Sequence, residues 1–116
     1  MDSRPALDWT DELPVAVTVT AADGTILSLN HRAAESFADD GGVALIGKSV
    51  FDCHPEPART KTVELYAAQV PNHYTISKNG QKRIIHQLPW YRAGVFAGLV
   101  EISIPIADEL PHHDRG

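Results

Sequence analysis

Residues 73–104 read HYTISKNGQKRIIHQLPWYRAGVFAGLVEISI, and the pairing of this stretch decides the fold. Asn79-Gly80 is the strongest short hairpin signal, because a type I′ turn needs positive φ at both central residues. Arg92-Ala93-Gly94 fits a three-residue loop with glycine at the left-handed position. The two turns predict a meander of three antiparallel strands. Across the first turn, Lys78 is expected opposite Gln81, Ile76 opposite Arg83 and Tyr74 opposite Ile85. Across the second, Trp90 is expected opposite Phe96, Leu88 opposite Gly98, His86 opposite Val100 and Ile84 opposite Ile102.

This register sorts the side chains onto two faces, because successive residues of a strand point to opposite sides. One face carries Ile84, Leu88, Trp90, Phe96, Val100, Ile102 and Ile104, and is the expected core. His86 falls on it, beside His73, Thr75 and Ser77, and Gly98 leaves room there. The other face mixes Arg83, Gln87, Glu101 and Ser103 with Tyr74, Ile76, Ile85, Val95 and Leu99, the pattern of a solvated face or a subunit interface. Arg83 and Glu101 lie diagonally on it, consistent with exposure. A slip of one residue at either turn reverses the whole assignment.

Outward from the meander, residues 15–20 alternate, with Val15, Val17 and Val19 on one side, and read as a strand. Ala21-Ala22-Asp23-Gly24 is a turn into a second strand, residues 25–29, so the two form a hairpin. Asn30 is placed to cap a short helix ending near Phe37, with Ala33, Ala34 and Phe37 as its buried side. Asp39-Asp40-Gly41-Gly42 breaks it, and residues 45–51 are irregular or a single turn. A second helix is expected from about Glu56 to Gln69, with Pro55 or Pro57 in its first turn and Val63, Tyr66, Ala67 and Val70 on one apolar stripe. Ahead of all this, residues 1–13 form a polar flank with Leu7, Trp9 and Leu13 as scattered anchors. Residues 14–106 form the domain and 107–116 a frayed tail.

The 116 residues suit one domain, and 43% hydrophobic with 22% charged is ordinary for a soluble globular chain. The single Cys53 permits no internal disulfide. No apolar run approaches the ~20 residues that span a bilayer, so no membrane role is expected and a cytoplasmic location is the default. A net charge of −5 with dispersed basic residues argues against a nucleic-acid partner. Two strands, a helical middle and three strands make an α+β fold: one five-stranded antiparallel sheet with helices covering one face.

That order, with Asp23-Gly24 between the first strands and Asn30 opening the helix, resembles the PAS domain family. Residues 13–17 (LPVAV), 23–27 (DGTIL) and 45–51 (LIGKSVF) are similar to its landmarks. The strings Asp52-Cys53-His54-Pro55-Glu56 and Pro89-Trp90-Tyr91 resemble a subgroup from bacterial signalling proteins. The resemblance covers roughly residues 10–106. It implies a sensory domain that binds a small molecule or cofactor between sheet and helices, haem and flavin among them, or a ligand-free dimerising relay. It also implies a homodimer built through the amino-terminal flank and the outer sheet face. A signalling partner would act in trans or as a fused output domain.

Six residues stand out as candidate pocket positions: Cys53, His54, Tyr66, Thr75, His86 and Trp90. A thiolate or imidazole at Cys53-His54 can ligate a metal or haem iron. Adjacent residues rarely aim at one ion, and no second cysteine completes a zinc spacing. The structural alternative has His54 capping the next helix and Cys53 packed as a small apolar residue. A buried His86 needs a partner, supplied by a ligand or by a neighbouring Thr, Ser or backbone group. Tyr66 and the expected Trp90–Phe96 pair serve packing or a ligand. His112-His113 lies in the tail. No phosphate loop, nucleophile elbow or metalloprotease helix is present in the sequence, so no enzyme is expected; a small α+β enzyme is the remote third reading and depends on His86.

Overall fold

The computed structural model describes residues 8–116; Leu7 and the rest of residues 1–7 of the expected flank lie outside the described residues. The amino-terminal half is organised by Asn30, which is 4% exposed. Its Oδ1 accepts from the backbone N–H of Ala33 at 3.0 Å, capping helix α1 (His31–Ser36), and from that of Val17 at 2.9 Å in strand β1 (Ala16–Thr20). Its Nδ2 donates to the carbonyls of Thr10 and Val15, each at 2.8 Å. One amide therefore ends strand β2 (Ile26–Leu29), starts α1 and ties both to β1. An asparagine does this because it offers two donors and two acceptor positions in one short side chain.

Ile26, Leu29 and Leu45 pack on Ala33, which is fully buried, with Ala16, Phe37 and Val50 partly buried around them. Each large side chain here contributes roughly 1.5–3 kcal/mol by leaving water. Two short 3₁₀ turns, Ala38–Asp40 and Gly42–Leu45, carry the chain across this cluster. Helix α2 spans Ala58–Ala68, inside the expected limits. The expected stripe does not form. Tyr66 is buried, but Val63 and Val70 are 47% and 54% exposed. The apolar residues of α2 are spread around the helix, so no continuous face exists to bury.

The sheet has five strands in the order β2-β1-β5-β4-β3, every neighbouring pair antiparallel, with β3 Asn72–Lys78, β4 Gln81–Arg92 and β5 Val95–Ile106. The first hairpin pairs as expected, Lys78 with Gln81, Ile76 with Arg83 and Tyr74 with Ile85. Asn79 and Gly80 adopt φ of 52° and 77°, the conformation a type I′ turn requires.

The second hairpin differs. Its turn is the two residues Ala93-Gly94, with φ of 50° and 80°, and Arg92 pairs with Val95. A bulge then leaves Ala97 without a partner, so Trp90 pairs with Gly98, Leu88 with Val100, His86 with Ile102 and Ile84 with Ile104. The expected pairings are displaced by two residues, which keeps each of these side chains on its expected set. Phe96 leaves the set: it pairs with Tyr91, ring centroids 6.4 Å apart, rather than with Trp90.

The direction of the two faces is also corrected. Ile85 and Leu99 carry the buried side chains of β4 and β5, at 4% and 5% exposure. Their face, with Tyr74, Gln87 and Glu101, looks toward α1 and α2. The face of Ile84, His86, Leu88, Trp90, Val100 and Ile102, expected as the core, is the outer one and is half-buried. Val17 and Val19 of β1 extend it, being paired with Ile102 and Val100. Among the described residues no helix packs on this side.

Gly98 does not open a space. A Cβ there would lie 1.9 Å from the Thr20 carbonyl oxygen, so the missing side chain is filled by the backbone of β1.

Candidate functional site

Between the inner sheet face and α2 lies a cleft of about 1500 Å³. It is larger than the ~300–1,000 Å³ of an ordinary small-molecule pocket, because α2 reaches the sheet through few side chains. The main attachment is Tyr66. Its hydroxyl hydrogen-bonds that of Thr20, whose Oγ1 also accepts from Leu99 N–H at 3.3 Å. Phe51 meets the Tyr66 ring edge-on at 5.0 Å and lies against Gly24, where a Cβ would stand 2.7 Å from the ring. The irregular segment before α2 is thereby pinned to the β1–β2 turn.

The floor of the cleft is polar and connected. Asn72 Nδ2 donates to Gln87 Oε1 at 2.7 Å, and Gln87 Nε2 donates to Glu101 Oε2 at 3.0 Å. These three residues come from β3, β4 and β5 and share the inner face because Asn72 pairs with Gln87 and Gln87 with Glu101. Arg83, expected beside Glu101, lies nearer the opposite end of this face, opposite Pro105; the partner of Glu101 is an amide rather than the guanidinium.

The two tyrosines of the cleft, Tyr66 on α2 and Tyr74 on β3, stay protonated at neutral pH. Burial pushes the Tyr66 phenol above its ordinary value, opposed by the Thr20 hydrogen bond and reinforced by the negative charges of Glu101 and Asp23. Burial, then Glu101, raises Tyr74. The sheet side of the cleft thus presents the Glu101 carboxylate and the neutral Tyr74 phenol, and Asp40, Asp52 and Glu64 add further carboxylates around the lining.

Of the six residues singled out in the sequence, Cys53, His54 and Tyr66 line this cleft. Cys53 is exposed, so it is not packed as a small apolar residue. His54 Nδ1 lies 2.6 Å from the Val50 carbonyl oxygen and donates to it. The ring therefore braces the preceding turn instead of capping α2. With Nδ1 carrying the proton, Nε2 is the nitrogen left for a ligand or metal.

His86, Trp90 and Thr75 stand apart from these three, on the outer face. Their expected contact with an interior ligand required that face to be the core. Trp90 crosses Gly98 to donate its indole N–H to the Thr20 carbonyl at 2.9 Å. His86 meets His73 across the strands, Nδ1 to Nδ1 at 2.8 Å. Thr75 pairs with Ile84 and is exposed. Sequence reasoning overlooked Asn72, Gln87 and Glu101 as a site. The signal was available as three amide and carboxylate side chains at adjacent register positions, but the face was read as solvated.

The PAS domain of BvgS from Bordetella pertussis superimposes with a TM-score of 0.60 at 18% identity, covering 84% of this chain and 81% of that one. The PAS domain of an HTR-like protein from Haloarcula marismortui gives 0.55 at 18%, covering 83% and 84%. The fold is that of a PAS domain. The same fold is seen in the Aer2 receptor of Vibrio cholerae, described as a dual PAS-heme oxygen sensor, with a TM-score of 0.56 at 14% identity over 80% of this chain and 95% of that one. No protein-family model matches the sequence, and a comparison with curated proteins finds no match. Among the described residues no helix is long and apolar enough to cross a membrane.

Proposed function

We propose that this chain is a PAS-type sensory domain that takes a small molecule into the cleft between its sheet and α2, and signals through a homodimer. The observation that carries the reading is the Asn72–Gln87–Glu101 chain on the cleft floor, together with the PAS fold of the solved structures it resembles. In that chain each amide donates toward the carboxylate, so Glu101 is the terminal acceptor, ready for a ligand N–H or O–H group. Tyr66 and Tyr74 supply further hydroxyls. Occupancy would draw α2 onto the sheet, and a partner or fused output domain would respond to that difference in populations.

The outer sheet face supports the dimeric half of the proposal. Val17, Val19, Ile84, Leu88, Val100 and Ile102 form a continuous apolar surface, half-buried within one chain. Apolar patches of this kind mark protein–protein contacts.

Native mass spectrometry of the purified protein, with an absorption spectrum, tests the ligand. The expected result is a bound mass that disappears on denaturation and is reduced in Glu101→Ala, whose folding is checked by circular dichroism. A bare, colourless dimer would instead establish the second reading, a ligand-free PAS interaction module, which the outer face alone suffices to support.

A further inference from the structure

His73 and His86 occupy directly opposed positions on β3 and β4, on the outer face and away from the cleft. Their rings meet edge-to-face with centroids 5.0 Å apart, and their Nδ1 atoms are 2.8 Å apart. At that separation one Nδ1 carries a proton and the other a lone pair, so the contact is a single shared hydrogen between two nitrogens that both belong to metal-ligating groups.

We infer that His73 and His86 form a bidentate site for a tetragonal divalent transition-metal ion, copper(II) in the first instance. Both nitrogens can reach one ion, and the affinity order of divalent metals for imidazole, which peaks at tetragonal copper(II), selects the metal. Two nitrogens bound cis at right angles, each about 2.0 Å from a metal, are about 2.8 Å apart, whereas a tetrahedral ion places them about 3.3 Å apart. The present 2.8 Å is the length of the hydrogen bond between the rings, and either spacing is reached by a small turn of the imidazoles. Two adjustments turn the hydrogen-bonded pair into the chelate. The proton on one Nδ1 moves to Nε2 of the same ring, giving two neutral imidazoles that each offer an Nδ1 lone pair. Both rings then turn about Cβ–Cγ, a soft torsion, to aim those lone pairs at a common point.

The scaffold holds the ligands in place. Seven consecutive register pairs lock β3 to β4, so the two Cα positions are set before any ion arrives. His73 is exposed, leaving an approach from solvent. Among the described residues no group of three or more His, Cys, Asp and Glu side chains gathers to hold a metal. The chain therefore supplies two ligands here, and the remaining positions are open to water or to the same pair from a second copy.

Copper(II) titration of the full chain tests the inference. The background carries Cys53→Ser, His112→Ala and His113→Ala, which removes the exposed thiol and the tail imidazoles as competing donors. Calorimetry should give one ion per chain, or one per two chains if a second copy completes the site. The visible absorption and electron paramagnetic resonance of a tetragonal copper centre should accompany binding, and the proton resonances of His73 and His86 should broaden first. His73→Ala and His86→Ala should each weaken binding about tenfold or more. Thr75→Ala, a neighbour without a ligand nitrogen, should bind as the background does. No binding, or binding equally tight in His73→Ala and His86→Ala, overturns the assignment.

Discussion

Trp90 and Thr20, 70 positions apart in the chain, are joined by an indole N–H donated to a carbonyl at 2.9 Å, and the indole reaches it by passing over Gly98 on the strand between them. Gly98 is indispensable to this arrangement for a second reason. It adopts φ of 144°, and a Cβ would fall 1.9 Å from the Thr20 oxygen. Gly98→Ala is therefore expected to cost about 3 kcal/mol or more, combining overpacking with backbone strain. Urea denaturation of the variant measures it, and a loss below about 0.5 kcal/mol would show that β1 and β5 are not so closely apposed.

Asn30→Ala should destabilise the domain by about 2–4 kcal/mol, because the carbonyls and N–H groups it satisfies are left without partners. Asn30→Asp keeps the Oδ1 acceptor for Ala33 and Val17 but loses both donors to Thr10 and Val15. Its cost should fall between those of alanine and wild type. Equal stabilities for Ala and Asp would overturn the role of the Oδ1 acceptor, equal stabilities for Asp and wild type would overturn that of the Nδ2 donors, and thermal melts of the three proteins decide the order.

Alkaline pH should weaken the fold through Tyr66. Its phenol has a raised pKa, chiefly from burial, so the folded state retains a proton that the unfolded chain loses near pH 10. This contribution is fully present below the unfolded value and is lost as pH rises through the folded one. Stability should fall above about pH 10, and Tyr66→Phe should flatten part of that decline, Tyr74 supplying a further part. At neutral pH the same variant should cost about 1 kcal/mol for the hydrogen bond to Thr20. A pH–stability curve identical to wild type would refute the burial of the phenol.

Ile102 sits at the middle of the outer face, between Val17 of β1 and His86 of β4. If the dimer forms on this face, Ile102→Glu should convert it to a monomer while leaving the circular dichroism spectrum of the fold in place. Light scattering behind size-exclusion chromatography reads the mass directly. A dimer that survives the glutamate places the interface elsewhere.

Much of the architecture was legible in particular residues. Asn79-Gly80 specified its turn and hence the β3–β4 register, because few residue pairs tolerate two successive positive φ values. Asn30 announced the helix it caps. The Ala93-Gly94 turn was harder, since alanine at positive φ is uncommon and a three-residue loop looked cheaper. The shorter turn displaced the pairing by one residue and the bulge at Ala97 by one more, and the sum of two preserved the two-residue alternation of the strands and hid the error. The cleft residues escaped because Gln87 and Glu101 look like solvated positions until α2 is brought over them.

By itself, then, the sequence determined the strands and the two helices, their union in one antiparallel sheet and, beyond the bulge at Ala97, which side chains share a face of the meander. These follow from local conformational preference and from the two-residue period of a strand. It did not determine which face is inside. Both faces carry apolar residues, and the richer one, with Ile84, Leu88, Trp90, Val100 and Ile102, turned out to be the outer one. That choice belongs to the tertiary structure, because it depends on the side to which Asn30 and Tyr66 anchor the helices. The same choice moved His86 from a supposed interior pocket to an outer-face pair with His73, and brought Glu101 in from the surface to the floor of the cleft.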